Sequence, residues 1–158
     1  MSQLSQFNNN LSKEKMKYSE EYKDLFTVSD DYCLAHCIAS DLAMGAGIAV
    51  PMQKKFHLRN ALKYFEYKGA SLKHPTCILI DRVFNLITKK KSSGKPTLNS
   101  LKKSLDIMKE IIIARDIKKL AMPKIGCGLD RLQWGEVRDY LQTIFADVDI
   151  EILVCNWK

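Results

Sequence analysis

A strand, a glycine turn and a helix follow one another in residues 122–134, and this order constrains the fold more than any other feature. The stretch is Met-Pro-Lys-Ile-Gly-Cys-Gly-Leu-Asp-Arg-Leu-Gln-Trp. An apolar strand leads into it, and Asp130 lies between the Gly-x-Gly turn and a helix predicted over Trp134–Phe145. Because glycine turns before helices expose backbone N–H groups, the sequence predicts an anion-binding loop beside a carboxylate, at the mouth of an α/β sheet.

Strand-like and helix-like segments alternate along the rest of the chain. Residues 32–39 form a continuous apolar run, which is typical of a strand buried on both faces. This alternation predicts a mixed, mostly parallel sheet with helices on both faces. The other predicted elements are a first strand at 18–28, a helix opened by Gly45–Gly47, a helix at 59–67, a hairpin of Thr76–Ile80 and residues 83–88, an amphipathic helix capped by Thr97, and strands at 118–123 and 150–155.

Four polar or glycine features follow the predicted strands. They are Asp24, Gly45–Gly47, Thr88–Lys89 and Gly126–Asp130. In open α/β sheets, ligands bind in the crevice beyond the carboxyl ends of the strands. Two glycine turns facing each other across that edge can hold a pyrophosphate, and an aspartate at the first strand end can accept a hydrogen bond from an adenine amino group. The pattern therefore suits a nucleotide diphosphate ligand.

Three side chains are candidates for chemistry. Lys89 lies at a strand end, where a deprotonated lysine can attack the anomeric carbon of a sugar. The pattern alone instead favours residues 89–91 as a solvated basic loop that binds phosphate. Asp130 can act as a general base or proton relay, or it can start a helix or pair with Arg131. For His36, which lies within a buried strand, the pattern favours a core histidine satisfied by backbone over a catalytic one.

Composition and charge limit the classes of binding partner that the sequence predicts. A length of 158 residues fits one domain, and the net charge of +7 favours an anionic partner. The chain has no RNA-binding signature, so direct nucleic-acid binding is the weaker hypothesis. No apolar run reaches the roughly 20 residues that span a bilayer, so we expect no membrane partner.

The ends and the cysteines of the sequence carry further expectations. Residues 1–10 are polar and lack an apolar signal core, which predicts an intracellular protein. Five cysteines without a CxxC pair are typical of free, mostly buried thiols. No cluster of ligands has coordinating spacing, so we expect no metal and no other cofactor.

Four segments of the chain together carry a resemblance to a known family. They are Ala-His-Cys-Ile at 35–38, Met-Gly-Ala-Gly-Ile-Ala-Val at 44–50, Leu-Ile-Thr-Lys-Lys at 86–90 and the stretch 122–134. These segments closely resemble the macrodomain family and, within it, the branch called terminal ADP-ribose protein glycohydrolase or O-acetyl-ADP-ribose deacetylase. The resemblance runs from about Tyr18 to the C-terminus and implies a macrodomain over 18–158. Residues 1–17 are polar, rich in Asn and Lys and without periodicity, which predicts a disordered extension.

The resemblance implies a fold and an activity. The implied fold is a three-layer α/β/α macrodomain that binds ADP-ribose. The implied activity is hydrolysis of ADP-ribose esters on glutamate and aspartate side chains and deacylation of O-acyl-ADP-ribose. In that branch a lysine attacks the distal ribose and an aspartate resolves the adduct; these residues correspond to Lys89 and Asp130, which reverses the preference for a simple basic loop. The alternatives are a non-catalytic ADP-ribose reader and a basic nucleic-acid-associated scaffold.

The resemblance also implies binding residues and partners. The implied partners are ADP-ribose and mono- or poly-ADP-ribosylated proteins, met by a monomer in the nucleus, the cytoplasm or both. The sequence departs from the family at Lys23, where many macrodomains have glycine, and at Ala39, where the branch has serine; neither departure removes the implied catalytic pair. Trp157 lies near the adenosine end, where it either stacks on adenine or packs on the surface. The other implied binding residues are Asp24, Leu25, Gly45, Ala46, Gly47, Ile48, Thr88, Lys124, Ile125, Gly126, Cys127, Gly128 and Leu129.

Overall fold

One six-stranded sheet organises the computed structural model, which describes residues 15–128 and 130–156. Its strands are β1 (Lys17–Glu21), β2 (Cys33–Ala39), β3 (Thr76–Ile80), β4 (Val83–Lys89), β5 (Lys119–Met122) and β6 (Glu151–Cys155). Its helices are α1 (Ala49–Phe56), α2 (Leu58–Tyr67), α3 (Leu98–Arg115) and α4 (Trp134–Phe145), and a 3₁₀ turn covers Leu25–Thr27.

The sheet is mixed and mostly parallel, as predicted. Its order is β1-β6-β5-β2-β4-β3, and only the β3–β4 hairpin pairs antiparallel. The central strands β5, β2 and β4 run side by side in one direction. Because they are parallel, their carboxyl ends meet at one edge, and the loops that follow them converge there.

Helices cover both faces of the sheet, and the sheet divides the core in two. Leu34 and Ala35 are adjacent on β2 but belong to different apolar clusters, since successive side chains of a strand point to opposite faces. One cluster packs against α1 and α2 through Met52 and Leu62, and the other contains the buried stripe of α3. The three-layer α/β/α prediction is confirmed.

Most predicted elements form where local signals placed them. The helix Trp134–Phe145 has the predicted bounds. Thr97 caps α3 in a capping box with Ser100, whose backbone N–H lies 2.9 Å from the Thr97 hydroxyl. The hairpin also forms as predicted.

The strand predicted over residues 18–28 is wrong in its second half. β1 ends at Glu21, and the Asp24 carboxylate accepts a hydrogen bond from the Phe26 N–H at 3.0 Å. This side-chain bond offers the backbone an alternative to a strand ladder, so the chain turns into the 3₁₀ segment. The disorder predicted for residues 1–17 falls mostly outside the described residues.

Within the described ranges, none of the helices combines the length and the apolar character that crossing a membrane requires.

Candidate functional site

A cavity of about 550 Å³ opens at the edge where β2, β4 and β5 end. Three loops meet around it, one after each of these strands, so it lies where the sheet topology places ligand sites. It is lined by Cys37, Ala39, residues 43–49, Lys89, residues 92–95, residues 123–126, Gly128 and Asp130.

Lys89 and Asp130 form an ion pair in the wall of this cavity. Lys89 Nζ lies 2.7 Å from Asp130 Oδ1, and each side chain is 14% exposed. Nζ also donates to the Gly94 carbonyl oxygen at 3.2 Å. Two charges this far removed from water are stable only with close partners, so Asp130 and the Gly94 carbonyl oxygen fix the position of Lys89 Nζ.

The two glycine turns line the same cavity, as the sequence suggested. A Cβ added at Gly45 or Gly128 would have no neighbour within 4 Å, so open space lies beside both backbones. A ligand can therefore approach the main chain closely from the cavity.

Gly126 lines the cavity and also packs against two leucine side chains. Its φ is +75°, and an added Cβ would lie 3.0 Å from Leu132 Cδ1 and 3.1 Å from Leu101 Cδ2. Its carbonyl oxygen accepts the Leu132 N–H at 2.7 Å. The positive φ favours glycine, and a larger residue would require these two leucine side chains to shift.

An aspartate that the sequence analysis did not select connects two of the three loops. Asp41 accepts from the Ser92 hydroxyl at 2.7 Å, from the Ser92 N–H at 2.8 Å and from the Ala43 N–H at 3.0 Å. The bonds from Ser92, backbone and side chain, hold the pKa of Asp41 below its usual value. The sequence feature that could have identified Asp41 is its position two residues after Ala39, where β2 ends.

Arg59 on α2 forms hydrogen bonds to the loop that follows β2. Its guanidinium donates to the carbonyl oxygens of Leu42 at 2.8 Å and Ala43 at 2.5 Å. Leu42 and Met44 have φ of 58° and 47°, a left-handed conformation that non-glycine residues seldom adopt. The arginine therefore stabilises an otherwise unfavourable loop at the cavity wall.

His36 lies in the core, and its partner is a side chain rather than the backbone. His36 Nε2 is 2.7 Å from Asn85 Oδ1, and both residues are 0% exposed. Asn85 Nδ2 donates to the carbonyl oxygens of Ile78 and Val83, which fixes the amide orientation and makes Nε2 the donor. Burial lowers the pKa of His36 to about 4, so it is neutral at pH 7.

Cys37 also lines the cavity, next to the ion pair. Burial raises the pKa of its thiol, and the nearby Asp130 carboxylate raises it further. Cys37 is therefore a protonated thiol at neutral pH, and it supplies an uncharged wall rather than a nucleophile.

The structure brings most of the predicted binding residues to the cavity, but not all of them. Leu25 is 2% exposed in the core, and Asp24 is engaged as a cap, so neither lines the cavity. Thr88 lines a second cavity, while Leu129 and Trp157 lie outside the described residues. Cys127 donates from its thiol to the Ile125 carbonyl oxygen and is absent from the lining. The cavity is lined by Gly45, Ala46, Gly47, Ile48, Lys124, Ile125, Gly126 and Gly128.

The part of the chain that the structure covers holds no group of three or more His, Cys, Asp or Glu side chains suited to a metal ion.

Comparisons with solved structures define the class of protein. The macrodomain of Thermus aquaticus DarG superimposes with a TM-score of 0.77 at 18% identity, covering 89% of this chain and 98% of that one. Thermosipho africanus DarTG in complex with ADP-ribose gives a TM-score of 0.68 at 18% identity over 87% of this chain and 41% of that one. At such identities the likeness concerns the fold, which is that of a macrodomain.

Sequence relatives define the branch. The chain is 43% identical over 135 residues to ADP-ribose glycohydrolase OARD1 of Homo sapiens, covering 83% of this chain and 86% of the relative. The Bos taurus protein of the same name is 42% identical over the same coverage. No family model matches the chain. The chain belongs to the macrodomain family, in the branch that contains ADP-ribose glycohydrolase OARD1.

Proposed function

We propose that this protein is an ADP-ribose glycohydrolase that removes ADP-ribose from glutamate and aspartate side chains. The observation that carries the proposal is the 2.7 Å contact between Lys89 Nζ and Asp130 Oδ1 inside a glycine-lined cavity. The relatives that share the branch are named ADP-ribose glycohydrolases, which supports the same chemistry. O-acyl-ADP-ribose carries a similar ester and is a second proposed substrate.

The cavity suits the parts of ADP-ribose. Open space beside Gly45 and Gly128 lets a diphosphate approach backbone N–H groups from two sides. The distal ribose then lies beside Lys89 and Asp130, which line the same space. Asp24 and Leu25, on the adenosine side in the family, lie outside the lining, so any contact they make extends beyond this cavity.

The ion pair can perform two steps. Asp130 takes a proton from the Lys89 ammonium, and the free amine attacks the anomeric carbon of the distal ribose. The bond from that carbon to the acyl oxygen breaks, and the electron pair leaves with the carboxylate, which takes the proton that Asp130 holds. The regenerated Asp130 carboxylate then removes a proton from water as its oxygen attacks the same carbon and the lysine leaves as a neutral amine. ADP-ribose is released, and the proton returns from Asp130 to Lys89.

The alternative is a reader that binds ADP-ribose without cleaving it. Purified protein is incubated with a peptide that carries ADP-ribose on one glutamate, and free ADP-ribose is measured by chromatography. Release by the wild type is expected, together with a covalent adduct on Lys89 detected by mass spectrometry in Asp130→Ala. Tight ADP-ribose binding without any release from the wild type would leave only the reader.

The proposed function also includes the substrate proteins, the cell compartment and the oligomeric state. The proposed substrates are mono- and poly-ADP-ribosylated proteins in the nucleus or cytoplasm, and the proposed acting form is a monomer. The net charge of +7 suits anionic substrates in general. Nucleic-acid association would differ from this function in being strongly salt-dependent and insensitive to competing ADP-ribose.

A further inference from the structure

A second cavity, of about 340 Å³, adjoins the first at Lys89. Lys89, Gly94 and Lys95 line both cavities, so the basic loop is the wall between them. None of the glycine-turn residues of the proposed ADP-ribose site reaches the smaller cavity. It is lined by His74, Thr88, Lys89, Lys90, Lys91, Gly94, Lys95, Thr97 and Ser100.

Positive charge dominates the smaller cavity. Four of its lining residues are lysines and none is an aspartate or glutamate. Lys90 and Lys91 line only this cavity, whereas the charge of Lys89 is balanced by Asp130 in the larger one. A concave surface of one sign concentrates ligands of the opposite sign.

A buried hydroxyl at the base of this cavity has no partner. Thr88 is 1% exposed, and its Oγ1 makes no hydrogen bond to any residue that the structure describes. Thr88 shares a sheet face with Leu86, which packs in the α3 cluster, so its side chain lies on the side where Thr97 and Ser100 of the α3 start also line the cavity. A buried polar group without a partner is rare, and a ligand that accepts from this hydroxyl would satisfy it.

We propose that the smaller cavity is the acceptor-side subsite, which binds a carboxylate-rich segment of the modified protein next to the ADP-ribosylated residue. The inference rests on the proposed function. If the distal ribose lies at Lys89 in the larger cavity, the acyl group must leave along a path that the nucleotide does not fill. The smaller cavity begins at the same lysine, and its charge suits carboxylates both before and after the ester breaks.

Binding measurements with an uncleavable ligand test the subsite independently of catalysis. ADP-ribose is joined through a stable ether linkage to a fluorescent peptide with glutamates on both sides, and to a matched peptide with glutamines. The wild type should bind the glutamate peptide about fivefold more tightly, since two part-exposed ion pairs contribute on this scale, and the difference should vanish in high salt. Equal affinity for the two peptides at low salt would overturn the proposal.

Two variants locate the effect. Lys91→Glu, in the smaller cavity only, should abolish or reverse the preference for the glutamate peptide, whereas Lys63→Glu on the exposed side of α2 should keep it. Thr88→Val should reduce the preference without changing the charge. If both charge variants lower glutamate-peptide binding equally, the effect is general surface charge and the subsite is wrong.

The same series separates the subsite from the proposed function. Failure of the wild type to release ADP-ribose from an ester, with the binding preference intact, contradicts the hydrolase and leaves the subsite supported. Ester hydrolysis with no preference for the glutamate peptide contradicts the subsite and leaves the hydrolase supported. If ADP-ribose fails to bind, an unmodified glutamate peptide that binds the wild type but not Lys91→Glu still supports an anion site.

Discussion

Two polar pairs in this molecule have the same separation and opposite character. His36 and Asn85 lie 2.7 Å apart between β2 and β4, and both are fully buried. Lys89 and Asp130 also lie 2.7 Å apart, but their side chains are 14% exposed and line the cavity. Both pairs draw one member from β4, four residues apart.

The difference between the pairs is charge and access. Burial keeps His36 neutral and out of reach of a ligand, so its bond to Asn85 joins two strands and does nothing more. The Lys89 pair is charged and lies where a ligand arrives, at the end of the strand. Along one strand, the same hydrogen-bond length therefore serves structure in the core and the proposed chemistry at the edge.

The largest expected effect comes from removing the amine at the edge. Lys89→Ala should lower kcat for ADP-ribose release on the order of 10⁴-fold or more, because it removes the proposed nucleophile. Chromatographic assay of a glutamate-linked ADP-ribosyl peptide measures this loss. A thermal melt is the control, since Asp130 loses its partner, and a folded variant with wild-type kcat would contradict the nucleophile.

The carboxylate of the same pair should have a smaller effect. Asp130→Asn keeps the side-chain shape but cannot take a proton, so kcat should fall by about 10²- to 10⁴-fold. Single-turnover kinetics should show the second step slowed more than the first, with adduct accumulating on Lys89. An unchanged rate for both steps would remove Asp130 from the mechanism.

The buried pair should affect stability and its pH dependence instead. The folded pKa of His36, about 4, lies below the value of about 6.5 in the unfolded chain, so the unfolded state binds the proton first as pH falls. The contribution of His36 to stability is complete above pH 6.5 and is lost as pH falls towards 4. The free energy of unfolding in urea should therefore drop by about 2 kcal/mol between pH 7 and pH 5 from this group.

A double variant isolates the contribution of His36 to the pH dependence of the unfolding free energy. His36→Leu combined with Asn85→Leu removes the titrating group together with its side-chain partner. The Ile78 and Val83 carbonyl oxygens lose the Asn85 donor at every pH. The drop between pH 7 and pH 5 should therefore still shrink by the same amount. An identical pH dependence in the double variant would assign the loss to other groups.

The smallest effect should come from the contacts that join the loops. Asp41→Ala removes two hydrogen bonds from Ser92 that join two loops of the larger cavity, and one from Ala43 within its own loop, so ADP-ribose affinity should weaken about two- to fivefold by calorimetry. Ser92→Ala keeps its backbone N–H and should weaken affinity less. If Ser92→Ala weakened affinity more than Asp41→Ala, the carboxylate would not be what joins the loops.

Local signals account for the parts of this molecule that the sequence predicted well. The periodicity of α4 and the Thr97 cap depend only on residues close together in the sequence. The bounds of α4 and the start of α3 were therefore predictable. Asp24 shows how such signals compete: its side chain caps the 3₁₀ turn and ends the strand that the apolar pattern suggested.

Long-range pairings account for the parts that were missed. Asp41 and Ser92 are 51 residues apart, and His36 and Asn85 are 49 apart, so no window of sequence shows that they meet. The convergence of the two glycine turns was predictable because parallel strand ends share an edge, whatever their separation in the chain. The distance from Lys89 to Asp130 became available only with the packed loops.

Gly126 has a consequence for how this site can be redesigned or can evolve. A Cβ added at Gly126 would lie 3.0 Å from Leu132 Cδ1 and 3.1 Å from Leu101 Cδ2, so any larger residue requires these leucine side chains to shift. Leu101 belongs to the buried stripe of α3, so the loop that frames the cavity lies directly on the hydrophobic core. Changes in ligand preference are therefore easier to reach through Gly45 and Gly128, which face open space, than through any residue that would require the core to move with the loop.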